Sequence, residues 1–241
     1  MKGFILAAGL GTRLKPWTLS HPKALVPVAG VPMLKRVVEL FHNNKMYDLT
    51  INVHHFADQI TDFIAQNGWN IKISDETSEL LETGGGLLKA APFLIADSSP
   101  ILIHNVDIVS NADFRELEKA HIKKNADVTL LMSDRESTRK LIFNHKGRLK
   151  GWHSLKDNEF RPSTLLKDIT DLELAFSGIY IISPTVLEFM KDKGWSGKFS
   201  IIDFLLKSKE ELKIYGFKKD NLQMIDIGKP ESLTRANELL K

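Results

Sequence analysis

No cysteine occurs in the 241 residues. Disulfides and thiolate metal sites are therefore excluded, and the composition suits a reducing compartment. Nor is there an apolar run of the ~20 residues needed to cross a bilayer. The opening "MKGFILAAGLG" has too short an apolar stretch for a secretory signal, and Arg13, Lys15 and Lys23 follow it with no credible cleavage site. Charge of one sign is also scarce. The balance is only +3, too small for a bulk field that draws nucleic acid or membrane. A cytoplasmic protein with neither partner is expected. No internal repeat, low-complexity tract or linker is visible, so the expectation is one domain over residues 1–241.

What the sequence does contain is an alternation of short apolar runs and amphipathic stretches. "GFILAA", "LTINVH", "NIKIS", "PILIHNV" and "DVTLLMS" read as strands. Between them lie helical patterns at residues 32–45, in "ADQITDFIAQNG" closed by Gly68, in "GLLKAAPFL" and at residues 112–124. Such βαβ units imply a three-layer α/β/α, Rossmann-like fold with a mixed, mostly parallel sheet. Its ligand is expected beyond the carboxyl ends of the strands. After residue 133 the pattern changes. "KLIFNHKGRLKGWHS" reads as a hairpin turning at Lys146-Gly147, "RPSTLLKDITDLE" as a loop and "LAFSGIYIIS" as a strand. Two helices, two strands and a helix from Pro230 complete the chain. The expected division is residues 1–133 for one half of the cleft and 134–241 for the other.

The most irregular segment follows the first strand: "LAAGLGTRLKPWTLSHPKALVPVAGVPML", with four prolines and a basic balance. Gly9 and Gly11 permit close approach and positive φ, while Arg13 and Lys23 bring charge suited to phosphate. The Walker pattern is absent, and G-x-G-x-x-G fails at Leu14. The bland alternative is a solvated loop whose glycines only turn the chain. "LLETGGGLLKA" places three glycines at the start of a short helix, where backbone can pass a flat ligand; the alternative is a hinge capped by Thr83. "ILIHNVDI" ends a strand in Asn105 and Asp107, and "MIDIG" carries Asp226 between isoleucines. A carboxylate in an apolar strand is costly unless paired or metal-bound; a strand-end aspartate in a turn is the ordinary alternative. His54 and His55 are adjacent in a strand, so their rings diverge and do not form a metal site.

Taken together, L-A-A-G-x-G-T-R, P-x-T, P-K-x-L and P-V-x-G-x-P resemble the signature of the sugar-phosphate nucleotidyltransferases, and a strand-end aspartate, "FSGIY" and "DIG" follow in the family's order. The likeness runs along essentially the whole chain. Its length and "LLETGGG" are most similar to a compact subgroup of N-acetylmuramate-1-phosphate uridylyltransferases; mannose-1-phosphate guanylyltransferases are also similar. The resemblance implies transfer of NMP from an NTP to a sugar 1-phosphate, with Mg²⁺ as cofactor. It places Leu6, Ala7, Ala8 and Gly9 at the base and ribose, and Gly11, Thr12 and Arg13 at the triphosphate. Lys23 would touch the reacting phosphates, making Arg13 and Lys23 the catalytic pair. Thr83, Gly84 and Gly85 would pass beside the base. Asn105, Ser177 and Gly178 would hold the sugar phosphate, and Asp107 and Asp226 the metal. Trp17 and Val106 depart from the family pattern, and the E-K-P segment of larger relatives has no counterpart. Rival readings are a nicotinamide-dependent dehydrogenase and a non-catalytic nucleotide-sugar sensor.

Overall fold

The computed structural model describes residues 1–240. Strand β1, Lys2–Leu6, is apolar and almost wholly buried. Three short 3₁₀ turns follow it, at Thr12–Leu14, Trp17–Leu19 and Lys23–Leu25. A two-residue ribbon, β2 Pro27–Val28 and β3 Val31–Pro32, then feeds α1, Met33–Asn43. Next come β4 Leu49–Val53, α2 Ala57–Gln66, β5 Ile71–Asp75, α3 Glu82–Lys89 and α4 Ala91–Leu94. The chain returns through β6 Ile101–Asn105, turns at Val106-Asp107 into β7 Ile108–Ser110, and enters α5 Phe114–Lys123, capped by Asp113.

The second half begins with β8 Val128–Ser133. The hairpin β9 Arg139–Phe143 and β10 Leu149–Ser154 follows, then β11 Glu159–Arg161 and the eleven-residue β12 Leu172–Ile182. Helices α6 Thr185–Asp192 and α7 Ile201–Ser208, strands β13 Ile214–Lys218 and β14 Met224–Asp226, and helix α8 Pro230–Leu239 complete it.

One sheet runs β5-β4-β1-β6-β12, with the first four strands parallel. Strand β12 is antiparallel to β6 and β8, and β13 extends β8 in parallel. The mixed sheet expected from the sequence is thus present. Successive residues feed opposite cores, because strand side chains alternate and both faces are covered. Phe4, Ile103 and Tyr180 enter one cluster; Ile5, Leu102 and Ile179 enter the other. A third cluster joins Leu14, Val26, Val28 and Met33 of the opening segment to Ile227 and Ala236. The carboxyl-terminal strand and helix therefore hold the long loop from outside.

Several expectations change. Strands β2, β3, β7 and β11 were not foreseen, and β12 starts inside the stretch read as a loop. The glycines of "ETGGG" lie within α3 rather than ahead of it, for packing reasons given below.

Two histidines are buried without a charged partner. His104 packs edge-on against Phe41 and Phe114. His121 lies 3.0 Å from Thr129 Oγ1 and 3.3 Å from Ser183 Oγ. Burial pushes both imidazoles down to about 4. The unfolded chain holds them near 6.5, so it binds protons that the folded chain refuses as pH falls. Their contribution is whole above pH ~6.5 and is lost toward pH 4, by up to ~3 kcal/mol each. Urea unfolding of the parent should therefore lose stability across that window. His104→Gln, which cannot take up a proton, should show a shallower loss; an identical slope would contradict the assignment.

Candidate active site

The strand ends of β1 and β6 open onto a cavity of about 410 Å³. Leu6, Ala7, Ala8 and Gly9 form one wall; Asn105, Val106 and Asp107 form another. Lys23 reaches in from the loop, and Leu80, Glu82, Thr83 and Ser200 close the far side. An added Cβ at Gly9 would meet nothing within 4 Å, so that glycine leaves space in the cleft.

Gly11 has a different job. Its φ is +62°, and a Cβ there would lie 2.9 Å from both Lys23 Cβ and Thr18 Cγ2. Thr18 Oγ1 donates to the Gly11 carbonyl at 2.9 Å. The loop thus folds back on itself around a residue without a side chain, which carries Lys23 under the first strand. There Lys23 Nζ contacts the Asp107 carboxylate. Both side chains are mostly buried, at 11% and 16% exposure, so each supplies the counter-charge that burial requires of the other.

Asp226 stands beside this pair on the β7–β14 ribbon. It opposes Ile108, and Ile227 N–H donates to the Asp107 carbonyl at 3.0 Å. Its Oδ1 accepts from Gly228 N–H at 2.7 Å. A Cβ on Gly228 would sit 2.6 Å from Arg13 Nη2 and 2.8 Å from Asp226 Oδ1. Arg13 and Asp226 therefore flank one glycine. Asp226 is not desolvated as its isoleucine neighbours suggest: its strand belongs to a separate two-stranded ribbon, and the residue is exposed.

A buried network that the sequence reading missed fixes the first wall. Asn52 Oδ1 accepts from Ala7 N–H at 2.7 Å and Ala8 N–H at 3.3 Å. Its Nδ2 donates to Glu76 Oε1 at 2.7 Å, and Glu76 Oε2 accepts from Leu81 N–H at 3.1 Å. Glu76 is 0% exposed. The available signal was an asparagine in an otherwise apolar buried strand, a residue type seldom buried without a partner.

The three helical glycines answer to protein neighbours. A Cβ at Gly84 would lie 2.4 Å from the Phe199 ring, one at Gly85 2.1 Å from the Gly197 carbonyl, and one at Gly86 2.5 Å from Glu76 Oε1. Gly84 and Gly85 are needed so that α3 can press against the segment before α7, and neither lines the cavity. Thr83 does line it, and its Oγ1 accepts from Ile201 N–H at 3.0 Å, capping α7 rather than its own helix.

Gly178, at φ +78°, packs against the Asn105 amide; a Cβ would meet Asn105 Nδ2 at 2.8 Å. Ser177 is buried and its hydroxyl accepts from Ile179 N–H at 3.2 Å, within a strand irregularity. Of the candidate residues, Leu6, Ala7, Ala8, Gly9, Lys23, Thr83, Asn105 and Asp107 share the cavity. Gly11, Thr12, Arg13, Gly84, Gly85, Ser177, Gly178 and Asp226 do not line it.

Two substitutions test this arrangement. Asn52→Leu strands the Ala7 and Ala8 N–H groups and a buried carboxylate; urea unfolding should show a loss of ~2–4 kcal/mol. Gly85→Ala should lose comparable stability through overlap with the Gly197 carbonyl. A Gly85→Ala protein of parental stability would remove the packing explanation.

Comparison with known proteins places these residues in a lineage. The nucleotidyl transferase family profile matches residues 2–141. Mannose-1-phosphate guanyltransferase of Yarrowia lipolytica is 31% identical over 195 residues, 79% of this chain and 51% of that protein. N-acetylmuramate alpha-1-phosphate uridylyltransferase of Caulobacter vibrioides is 27% identical over 98% of this chain and 95% of that one. The chain thus spans about half the length of the Yarrowia relative and nearly all of the Caulobacter one. The crystal structure of HddC from Yersinia pseudotuberculosis, complexed with GMP-PN, superposes with a TM-score of 0.78 at 24% identity, covering 100% of this chain and 99% of that one. The signature loop and the strand-end aspartate both lie within the matched residues: the chain belongs to the nucleotidyl transferase family.

Proposed function

We propose that the protein transfers NMP from an NTP to a sugar 1-phosphate, releasing pyrophosphate. The observation that carries this reading is the meeting of Lys23 and Asp107 in a cavity at the strand ends, with Arg13 and Asp226 alongside. Such a site manages phosphate charge and needs no nucleophile–base pair, because the acceptor's phosphate oxygen is already ionised at pH 7. That oxygen attacks the α-phosphorus, the bond to the bridging oxygen breaks, and pyrophosphate departs with the electron pair. The work left to the side chains is alignment of two polyanions and offsetting of charge at the α-phosphate. Lys23 serves the reacting phosphates, Arg13 the departing pyrophosphate, and the wall from Leu6 to Gly9 the nucleoside.

The donor set favours a hard divalent cation. Two carboxylates at neighbouring register positions, Asp107 in the turn before β7 and Asp226 on β14, with phosphate oxygens and water for the remaining positions, suit Mg²⁺. Asp107 and Asp226 would hold it, and it would neutralise phosphate charge. Residues 1–133 then carry the nucleotide and residues 134–241 the acceptor. UTP with an amino-sugar or muramate-type 1-phosphate is the first reading, supported by the near-full-length match to the uridylyltransferase. GTP with mannose 1-phosphate is the second, supported by the guanyltransferase relatives.

Pyrophosphate release from each of four NTPs against several sugar 1-phosphates tests the proposal. One productive pair, abolished by chelation, is the expected result; no turnover with any pair would favour a nucleotide-sugar sensor. Lys23→Ala should lower kcat about a hundredfold or more. Asp107→Asn and Asp226→Asn should each raise the Mg²⁺ concentration needed for half-maximal rate.

A further inference from the structure

A second cavity, of about 430 Å³, adjoins the first through Ser200, which lines both. Its floor is a sheet face set by register. Leu141 opposes Trp152, and Trp152 opposes Arg161. Arg139 lies two residues before Leu141 and so shares that face. The Arg161 guanidinium sits 4.6 Å over the Trp152 ring. Arg135, Arg139, Lys140 and Arg161 all line this space, against one acid, Asp203 on the facing helix α7. Asp203 lies 3.5 Å from Arg161, which Glu159 also engages at 2.9 Å.

The other three cations have no acidic partner within ion-pair distance among the described residues. Arg135 donates only to the carbonyls of Glu136 and Phe176, at 3.3 and 3.2 Å. Arg135 and Arg139, gathered around one concavity without an acidic partner, repel one another, an arrangement that is relieved by an anion. Arginine forks in particular match the planar oxygens of carboxylate and phosphate. The reacting phosphate already has Lys23 and Arg13 beside the first cavity, so this surplus answers to a different negative charge.

We propose that the second cavity receives an acidic substituent on the acceptor sugar, a carboxylate or a second phosphate, in addition to its 1-phosphate. Resting on the nucleotidyltransferase reading, this names the acceptor class as acidic sugar 1-phosphates. Arg135 and Arg139 hold the substituent, and Arg161, braced on Trp152, forms the wall behind it.

Two matched pairs of acceptors test the proposal by calorimetry on the whole chain. N-acetylglucosamine 1-phosphate and N-acetylmuramic acid 1-phosphate differ by a lactyl carboxylate. Glucose 1-phosphate and glucose 1,6-bisphosphate differ by a phosphate. The acidic member of at least one pair should bind about tenfold or more tightly, as one charge-assisted contact supplies, and the pair that responds identifies the substituent. In Arg135→Gln/Arg139→Gln, checked for parental circular dichroism and urea midpoint, that preference should collapse toward unity. Equal affinity within both pairs would overturn the proposal, as would a preference that survives the double substitution. The same acceptors are then assayed for pyrophosphate release. Absence of release with every NTP would count against nucleotidyl transfer and leave the binding preference to be judged by itself.

Discussion

The two hydrogen bonds from Ala7 and Ala8 to Asn52 set the position of nearly everything in the cleft. Strand β1 loses its ladder partners where the loop begins, and buried N–H groups at that point need an acceptor. Asn52 supplies one oxygen to both. Its amide cannot rotate, because Glu76 takes the nitrogen. Glu76 in turn ties the same network to the start of α3 through Leu81. One asparagine and one carboxylate therefore join β1, β4 and the helix that closes the cavity. The glycine at position 86 exists to let that network pass, since any side chain would intrude on it.

The opening loop gains its shape by a different route. It has little regular hydrogen bonding of its own, so order comes from contacts with the far end of the chain. Ile227 and Ala236 pack with Leu14, Val26 and Val28, and Asn237 accepts from Ala29 N–H at 2.6 Å. Prolines limit what the loop must lose to take this path. The cationic side chains are thus mounted on a segment held from both sides, by the sheet within and by α8 without.

Much of this was readable from the residues. Apolar runs of five or six announced the parallel strands, because a strand buried on both faces has no polar alternation to disguise it. The polar segments after β1 and β6 marked the cleft. Lys23 and Asp107, 84 residues apart, were both singled out, and they meet. Most of the misreadings come from long-range contacts, and one from local geometry. Three glycines at a helix start look like freedom, yet Gly84 and Gly85 record the close passage of residues 197–199. Ser177 looked available, but a local strand irregularity consumes its hydroxyl. Asp226 looked expensively buried, but two short strands form a ribbon apart from the main sheet. Asn52 and Glu76 went unremarked because neither belongs to a pattern; their importance exists only once β1, β4 and α3 are side by side.

The contact between Lys23 and Asp107 closes each charge of the cleft on the other. A lone anion drawn to the lysine must pull it from its aspartate and leave that carboxylate stranded in a poorly solvated place. A lone cation drawn to the aspartate leaves the lysine in the same position. Each visitor by itself therefore meets a cost near that of breaking a shielded ion pair. An anion arriving together with a cation satisfies both partners at once, and the exchange becomes nearly even. On the proposed reaction, the pair would yield more readily to a metal–polyphosphate complex than to phosphate or metal alone.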